Sequence, residues 1–379
     1  KLKYFYKVTA KFLLDKKSIE KLVKKTQNNP LKIQKGVNYP CDFIDFVIEK
    51  VFSEEDDHGK LIPLVQNPLS KIKVQGSATE TVRNPLPYRY IQDLRQILCP
   101  LPDKTELTVL QNNLKQGEHL LSTYHYRHFK HWTWSQQQAK GDWFEVEPDV
   151  IDKSDPDCVW RTKKVTHKGE EITFHQIWSP VKAMVIFMKL HLPLRTYQVR
   201  MLDSGEADTW RYEQGQWIVN TNHDFVLGSE KRPFGKGIFR RIHDTMTGLH
   251  STGLYINTNK TADQNKDELE RGYIVPWQNE EVLYWLEKLR NWQEKYNSIA
   301  KPTDCTTLLK KHIGKKKSNK QLESMGEVAF LFRDAAAKGE DKYKPIQDIS
   351  PAYFWYRLLL ALENQLAERG DTLDNGERL

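Results

Sequence analysis

The residues best suited to chemistry gather in LHLPLRTYQVRMLDSGEADTW, residues 190–210. Arg195 follows a proline by two residues and interrupts an apolar run. A guanidinium there carries a fixed charge and a rigid fork of five donors, which suits a bidentate phosphate or carboxylate partner. The competing reading is structural, since an arginine at a helix junction can bind the open carbonyls of a helix end. Just downstream, Asp203, Glu206 and Asp208 could form a carboxylate cluster for a divalent metal, or could serve as turn and cap formers. No distant carboxylate partner completes the set, so no metal site is assigned. Further upstream, HYRHFKHW spaces His125, His128 and His131 three apart. That spacing sweeps round a helix rather than holding one face, and no cysteine is near, so packing or phosphate contact explains it better than zinc.

The elements that must hold these residues follow from pattern. WSPVKAMVIFMKLHL opens with Ser179 as N-cap and Pro180 at the first helical position, then spaces Val181, Met184, Val185 and Met188 for one buried face. Pro193 has no amide N–H and disfavours helical geometry at Leu192, so the chain breaks and restarts around Leu194 to Thr196, with Arg195 at the junction. Three hairpins are expected: CVWRTKKVTHKGEEITFHQIW, DTWRYEQGQWIVN with Gly215 at its turn, and GLYINTNKT paired with RGYIVPW. QNEEVLYWLEKLRNWQEKYN is an amphipathic helix with Val282, Trp285, Leu286 and Leu289 on its apolar stripe and charge opposite. SPAYFWYRLLLALENQLAERG is a last long helix, opened by Ser350 and Pro351 and closed at Gly370. In residues 1–150, LLDKKSIEKLVKKTQ, CDFIDFVIEKVF, PYRYIQDLRQILC and YHYRHFKHWTWSQQQ carry helical spacing. Arg127, Lys130, Trp132 and Trp134 in the last of these suit a helix lying on a polyanion, or core aromatics.

Composition narrows the partners. A chain of 379 residues is too long for one core. Its 58 Lys plus Arg against 50 Asp plus Glu give +8, which suits a polyanionic partner. Residues 1–35 hold eleven lysines and two acids, either a phosphate- or lipid-facing surface or a solvated helix face. KKHIGKKKSNK, residues 310–320, has six lysines and no acid, and reads as a phosphate-contacting loop or a solvated linker. Cys41, Cys99, Cys158 and Cys305 lie far apart without zinc spacing and read as reduced thiols. No run is long and apolar enough to span a membrane and no signal peptide is visible, so a cytoplasmic protein is expected.

The order of a buried helix, an arginine at its break, a helix holding Val199 and Leu202, then hairpins and an amphipathic helix resembles the catalytic domain of tyrosine recombinases. LPLRTYQVRML matches that family's first motif at Leu194, Arg195, Val199 and Leu202, with Gln198 where a glutamate is usual. YINTNKTADQNKDELERGYIVPW looks like the family's lysine-bearing β2–β3 hairpin, with Lys260 at the lysine position. The phrase LPLRTYQVRMLDSGEADTWRY looks closest to the large gamma-mobile-trio recombinases of bacterial mobile elements. The similarity covers roughly residues 178–300. It departs from compact recombinases in the insertion HDFVLGSEKRPFGKGIFRRIHDTMTG between arginine and lysine. After Lys260 no His-x-x-Arg box is found, and Tyr343, Tyr353 and Tyr356 lie upstream of where it should fall. The resemblance therefore implies a chain cut before the second arginine and the tyrosine nucleophile.

What the resemblance implies is an α+β, mostly helical protein: residues 1–150 a helical DNA-binding region, 151–177 a β-hairpin connector, 178–379 an incomplete catalytic domain. The implied function is site-specific DNA recombination through a 3′-phosphotyrosyl intermediate, without metal or cofactor. Arg195 would stabilise charge on the phosphorus oxygens and Lys260 would protonate the leaving 5′ oxygen. Double-stranded DNA is the expected partner, met through Lys16, Lys17, Lys24, Lys25, Arg127, Lys130, Arg240, Arg241, Lys315, Lys316 and Lys317. The parent would act as a tetramer on paired sites, in the cytoplasm and on the nucleoid, with this piece inactive alone. Two rivals stand beside it: a metal-dependent nuclease or transposase using the carboxylates, and a non-catalytic DNA-binding module.

Overall fold

The computed structural model describes residues 30–55, 61–68, 71, 86–99, 124–129, 142–167, 170–243, 245–259, 271–276, 279–314 and 317–371. Lys16, Lys17, Lys24, Lys25, Lys130, Lys260, Lys315 and Lys316 lie outside them. The chain forms two compact units, residues 1–85 and 86–379. In the first, helix α1 (Pro30–Val51) buries Cys41, Ile44 and Ile48, and a short antiparallel pair, β1 (Ser53–Glu55) with β2 (Leu61–Pro63), follows it. Asn67 ties the return to α1 by donating to the Cys41 carbonyl at 3.0 Å.

The second unit is built around α3 (Val181–His191). Sequence spacing predicts one apolar stripe there, but Val181, Ala183 to Met188 and Leu190 are all buried. A helix apolar all round must be covered all round, and α2 (Tyr88–Leu98), α5 (Glu280–Tyr296) and α8 (Ala352–Arg369) pack against it. Trp178, Phe187, Trp285 and Leu358 join the same core. The amphipathic reading of α5 holds for Val282, Trp285, Leu286 and Leu289, yet its polar side is not all solvated, because Arg290 and Gln293 are buried as well.

The strands form small antiparallel sheets. β3 (Trp143–Val146), β4 (Trp160–His167) and β5 (Glu170–Trp178) make a three-stranded sheet in the order β3–β5–β4. The hairpin of β6 (Trp210–Glu213) and β7 (Gln216–Val219) turns on Gln214 and Gly215, both at positive φ, the signature of a type I′ turn. β8 (Gly228–Ser229) and β9 (Arg232–Pro233) form a minimal pair. β10 (Phe239–His243), β11 (His250–Ile256) and β12 (Tyr273–Val275) form a second three-stranded sheet, β10–β11–β12. Short β13 (Thr303–Asp304) pairs with β14 (Glu327–Val328).

Three expectations need correction. With fourteen strands beside eight α-helices among the described residues, the fold is mixed α+β rather than mostly helical. YHYRHF is not a helix: His125 is extended and only Tyr126–His128 make one 3-10 turn, held by burial of Tyr126 and Phe129. The lysine tract is a loop only in its middle, at Gly314, Lys317 and Ser318 among the described residues. Its ends form α6 (Lys310–Ile313) and the start of α7 (Asn319–Glu323), because Ile313 and Leu322 are recruited to a second core with Met201, Cys305, Leu308, Val328 and Phe330. All four cysteines are free and buried. Among the described residues no helix is long and apolar enough to cross a membrane.

Candidate active site

Helix α3 ends where Pro193 requires. Leu192 is extended, Leu194 donates to the Leu192 carbonyl, and Arg195 stands in extended conformation as the N-cap of α4 (Thr196–Arg200). A residue there has its side chain outside both helices, and the Arg195 guanidinium is exposed, with no hydrogen bond or ion pair among the described residues. It lines an open cleft of about 350 Å³ together with Pro193, Gln198, Asn259 and Tyr273.

Gln198 is the hinge pin of this cleft. Its side chain is 5% exposed and engages three partners. Its Oε1 accepts the Arg195 amide N–H at 3.1 Å. Its Nε2 donates to the Thr258 carbonyl at 3.0 Å and to the Tyr273 hydroxyl at 3.3 Å. A second tie follows one turn later, from Asn257 Nδ2 to the Met201 carbonyl at 2.6 Å. The arginine turn is thereby fastened to both ends of the β11–β12 connection. Asn259 faces the cleft, and the next residue is Lys260. Gly272 permits the return into β12: at φ +80, a Cβ there would stand 2.1 Å from the Ile256 carbonyl oxygen.

Two arginines five residues apart divide the structural and open roles. Arg200 is fully buried and its Nη1 donates to the carbonyls of His312 and Ile346 at 2.6 and 2.7 Å, while Nη2 pairs with Asp348 at 2.8 Å. The carbonyl-binding role open to Arg195 in the sequence is thus filled by Arg200, which the pattern did not single out. Arg200 anchors the lysine tract to α4, and Lys317 from that tract lies 5.4 Å over the Tyr197 ring. Burial and the neighbouring Arg271 lower the Lys317 pKa.

The remaining basic positions are dispersed. Arg240 and Arg241, consecutive on β10, point to opposite faces. Arg240 lies 4.2 Å over Tyr255 and bonds the Gly235 carbonyl, whereas Arg241 is exposed beside Trp210. Arg127 is exposed on its 3-10 turn.

The three carboxylates after Arg195 do not gather into one metal-ligand set among the described residues. Asp203 accepts the amides of Gly205 and Ala329 at 2.8 and 3.0 Å. Asp208 accepts those of Lys236 and Gly237 at 2.7 and 2.8 Å. Burial raises both pKa values, that of Asp203 to about 7, with Asp208 adding to it. Glu206 pairs with buried Arg333 at 2.6 and 3.1 Å. Sequence reading missed another set: Glu206, His223 and Glu294 bring potential metal-ligand atoms within 4.8 Å of one another. Its donors fit an ion poorly, because Arg333 already pairs with Glu206 and Arg211 grips both oxygens of Glu294. No local signal could have found these pairs, whose members stand 127 and 83 residues apart.

Residues 6–306 match the family described as "Putative integrase". The chain belongs to that integrase family. The match spans Arg195, Gln198, the β11–β12 connection and most of the core, and membership places the protein among DNA-modifying enzymes of integration or recombination. No curated protein and no solved structure matches the integrase.

Proposed function

We propose that this integrase is of the tyrosine-recombinase type, cutting and rejoining duplex DNA through a 3′-phosphotyrosyl intermediate, and that it derives from a mobile element of the gamma-mobile-trio kind. The observation that carries the reading is the Gln198 clasp, which joins the turn presenting Arg195 to the connection bearing Lys260. Residues 61 and more apart in sequence contribute to one cleft, and Lys260 falls in sequence between the second and third strands of a three-stranded antiparallel sheet, the order the resemblance implies.

In this chemistry a tyrosyl oxygen forms a bond to phosphorus while the P–O5′ bond breaks. Arg195 would hold the non-bridging oxygens, whose charge rises in the transition state, by charge-assisted hydrogen bonds. Lys260 would pass a proton to the departing 5′ oxygen. A 5′ hydroxyl from the second duplex then displaces the tyrosine, so bond energy is conserved without an external source. The nucleophile and a His-x-x-Arg pair are assigned to sequence beyond these residues, and tetrameric action on paired sites is part of the proposal. The metal-nuclease alternative loses support from the buried, already bonded positions of Asp203, Glu206 and Asp208.

The test uses the full-length protein, wild type and Arg195→Ala, on nicked suicide duplexes carrying the ends of its own element, in EDTA, resolved on a denaturing gel. A slow protein–DNA band in wild type, reduced at least about 100-fold by Arg195→Ala, is expected, since removing one such donor costs 10²–10³ in rate. Cleavage that requires magnesium and leaves no covalent band overturns the reading.

A further inference from the structure

The β4–β5 hairpin is more than a connection into α3. β3 pairs only with the inner half of β5, from Trp143 opposite Trp178 to Val146 opposite His175. Beyond that point β5 pairs with β4 alone, from Lys163 opposite Phe174 to His167 opposite Glu170. Thr162 to Thr166 and Glu170 to Thr173 are all exposed, so both faces of this outer part meet solvent. The result is a two-stranded ribbon that leaves the sheet. An isolated ribbon is marginal in water, and this one is held at its root, where Arg161 lies 4.2 Å over Trp143 and bonds Gln176 Oε1 at 2.9 Å.

Its charge is segregated. β4, WRTKKVTH, carries Arg161, Lys163 and Lys164 and no acid, while the acids Glu170 and Glu171 sit at the start of β5. Lys164 pairs with Glu171, but both side chains are more than half exposed and the pair is readily exchanged for a phosphate. Val165 and Ile172 face each other across the strands and are 38% and 40% exposed, a single apolar pair beside the lysines. Lysines on an edge strand also deter strand pairing with another chain. Size agrees with the charge. Four residue steps from Lys163 to His167 reach about 13 Å, more than the ~8.5 Å depth of a major groove whose width admits a two-stranded ribbon.

We propose that this ribbon enters the major groove of duplex DNA and sets Lys163 and Lys164 against the phosphates. The proposal rests on the DNA-acting reading above and adds a contact surface outside the Arg195 cleft. The experiment follows binding of a short duplex of arbitrary sequence by the full-length protein across roughly 50 to 200 mM salt. It compares wild type, the double variant Lys163→Ala/Lys164→Ala, and a control, Lys301→Ala/Lys338→Ala, whose lysines are equally exposed. All four side chains are at the surface, and circular dichroism checks that the fold is kept. Each lost phosphate contact removes about 0.9 from the slope of log affinity against log salt, so the ribbon variant should be shallower by nearly 2 and the control unchanged. An unchanged slope in the ribbon variant, with normal wild-type binding, overturns the ribbon proposal and leaves the recombinase reading intact. A ribbon variant altered only in self-association, measured by sedimentation, does the same. Failure of wild type to bind any duplex overturns both.

Discussion

Replacing Gln198 by glutamate, the residue usual at this position in the family that the sequence resembles, should weaken this protein. The amide nitrogen donates to the Thr258 carbonyl at 3.0 Å, in a position 5% exposed, and a carboxylate has no proton to donate there. The Arg195 amide would keep its acceptor and the Tyr273 hydroxyl could turn to donate to the carboxylate, so the bond to the Thr258 carbonyl is the one lost. A hydrogen bond contributes about 1 kcal/mol net, and an acceptor left buried without a donor adds about 1–3 kcal/mol. A total near 2–4 kcal/mol follows, or a fall in melting temperature of roughly 4–16 °C at about 2–4 °C per kcal/mol. The sign with pH is also fixed. Burial and the facing carbonyl raise the pKa of the new carboxyl, so its protonated form donates again, and the loss should shrink as pH falls and grow as pH rises. Differential scanning fluorimetry of wild type, Gln198→Glu and Gln198→Ala from acid to alkaline pH reads this directly. If Gln198→Glu matches wild type at alkaline pH, the clasp does not hold the hairpin as described and the link from Arg195 to Lys260 fails with it.

Arg195→Ala should leave the melting temperature within about 1 °C, because surface changes away from special features stay within ±0.5 kcal/mol, while DNA cleavage is lost. Arg200→Ala should do the reverse first: the carbonyls of His312 and Ile346 lose their donor and stability falls by about 3 kcal/mol or more, checked by urea unfolding. Arg333→Ala leaves Glu206 buried without its guanidinium, with only the Ser204 hydroxyl and His223 beside it, and should cost about 3–5 kcal/mol in the same assay. His312 supplies a pH dependence. Burial, outweighing the pull of Asp341, lowers its pKa to about 4 from 6.5. A depressed histidine contributes stability above 6.5 that is lost as pH falls toward 4. His312→Gln, which can still accept the Leu309 amide, should flatten that part of the stability curve.

Much of the fold is legible where the signal is local. The β6–β7 hairpin announces itself through Gln214-Gly215, α8 through Gly370 in the left-handed region, and α5 through its apolar stripe and the Asn279 cap. The break at Pro193 and the placement of Arg195 follow from covalent geometry alone. What sequence hides is long-range satisfaction of polar groups. α3 looks amphipathic in outline only because Lys182 and Lys189 interrupt it. Lys182 is drawn to Asp142 at 2.6 Å, a partner 40 residues earlier. The lysine tract looks solvated by composition, yet Ile313 within it and Leu322 just after it carry enough apolar surface to pull its ends into a core.

The same distinction separates the candidate site from its background. Arg200, Arg211, Arg290 and Arg333 are each at most 3% exposed and, with neighbouring carboxylates or carbonyls, satisfy the desolvation cost that burial imposes. Their charge is already answered within the protein, so none is available for a ligand. Arg195 is placed differently by the chain itself: the proline that ends α3 forces it out of both helices, and Gln198 occupies its backbone amide while leaving its guanidinium open to the cleft. A cation held by its backbone and open at its head group suits an anion supplied from outside. On the recombinase reading proposed above, that anion would be a phosphate of the strand to be cut.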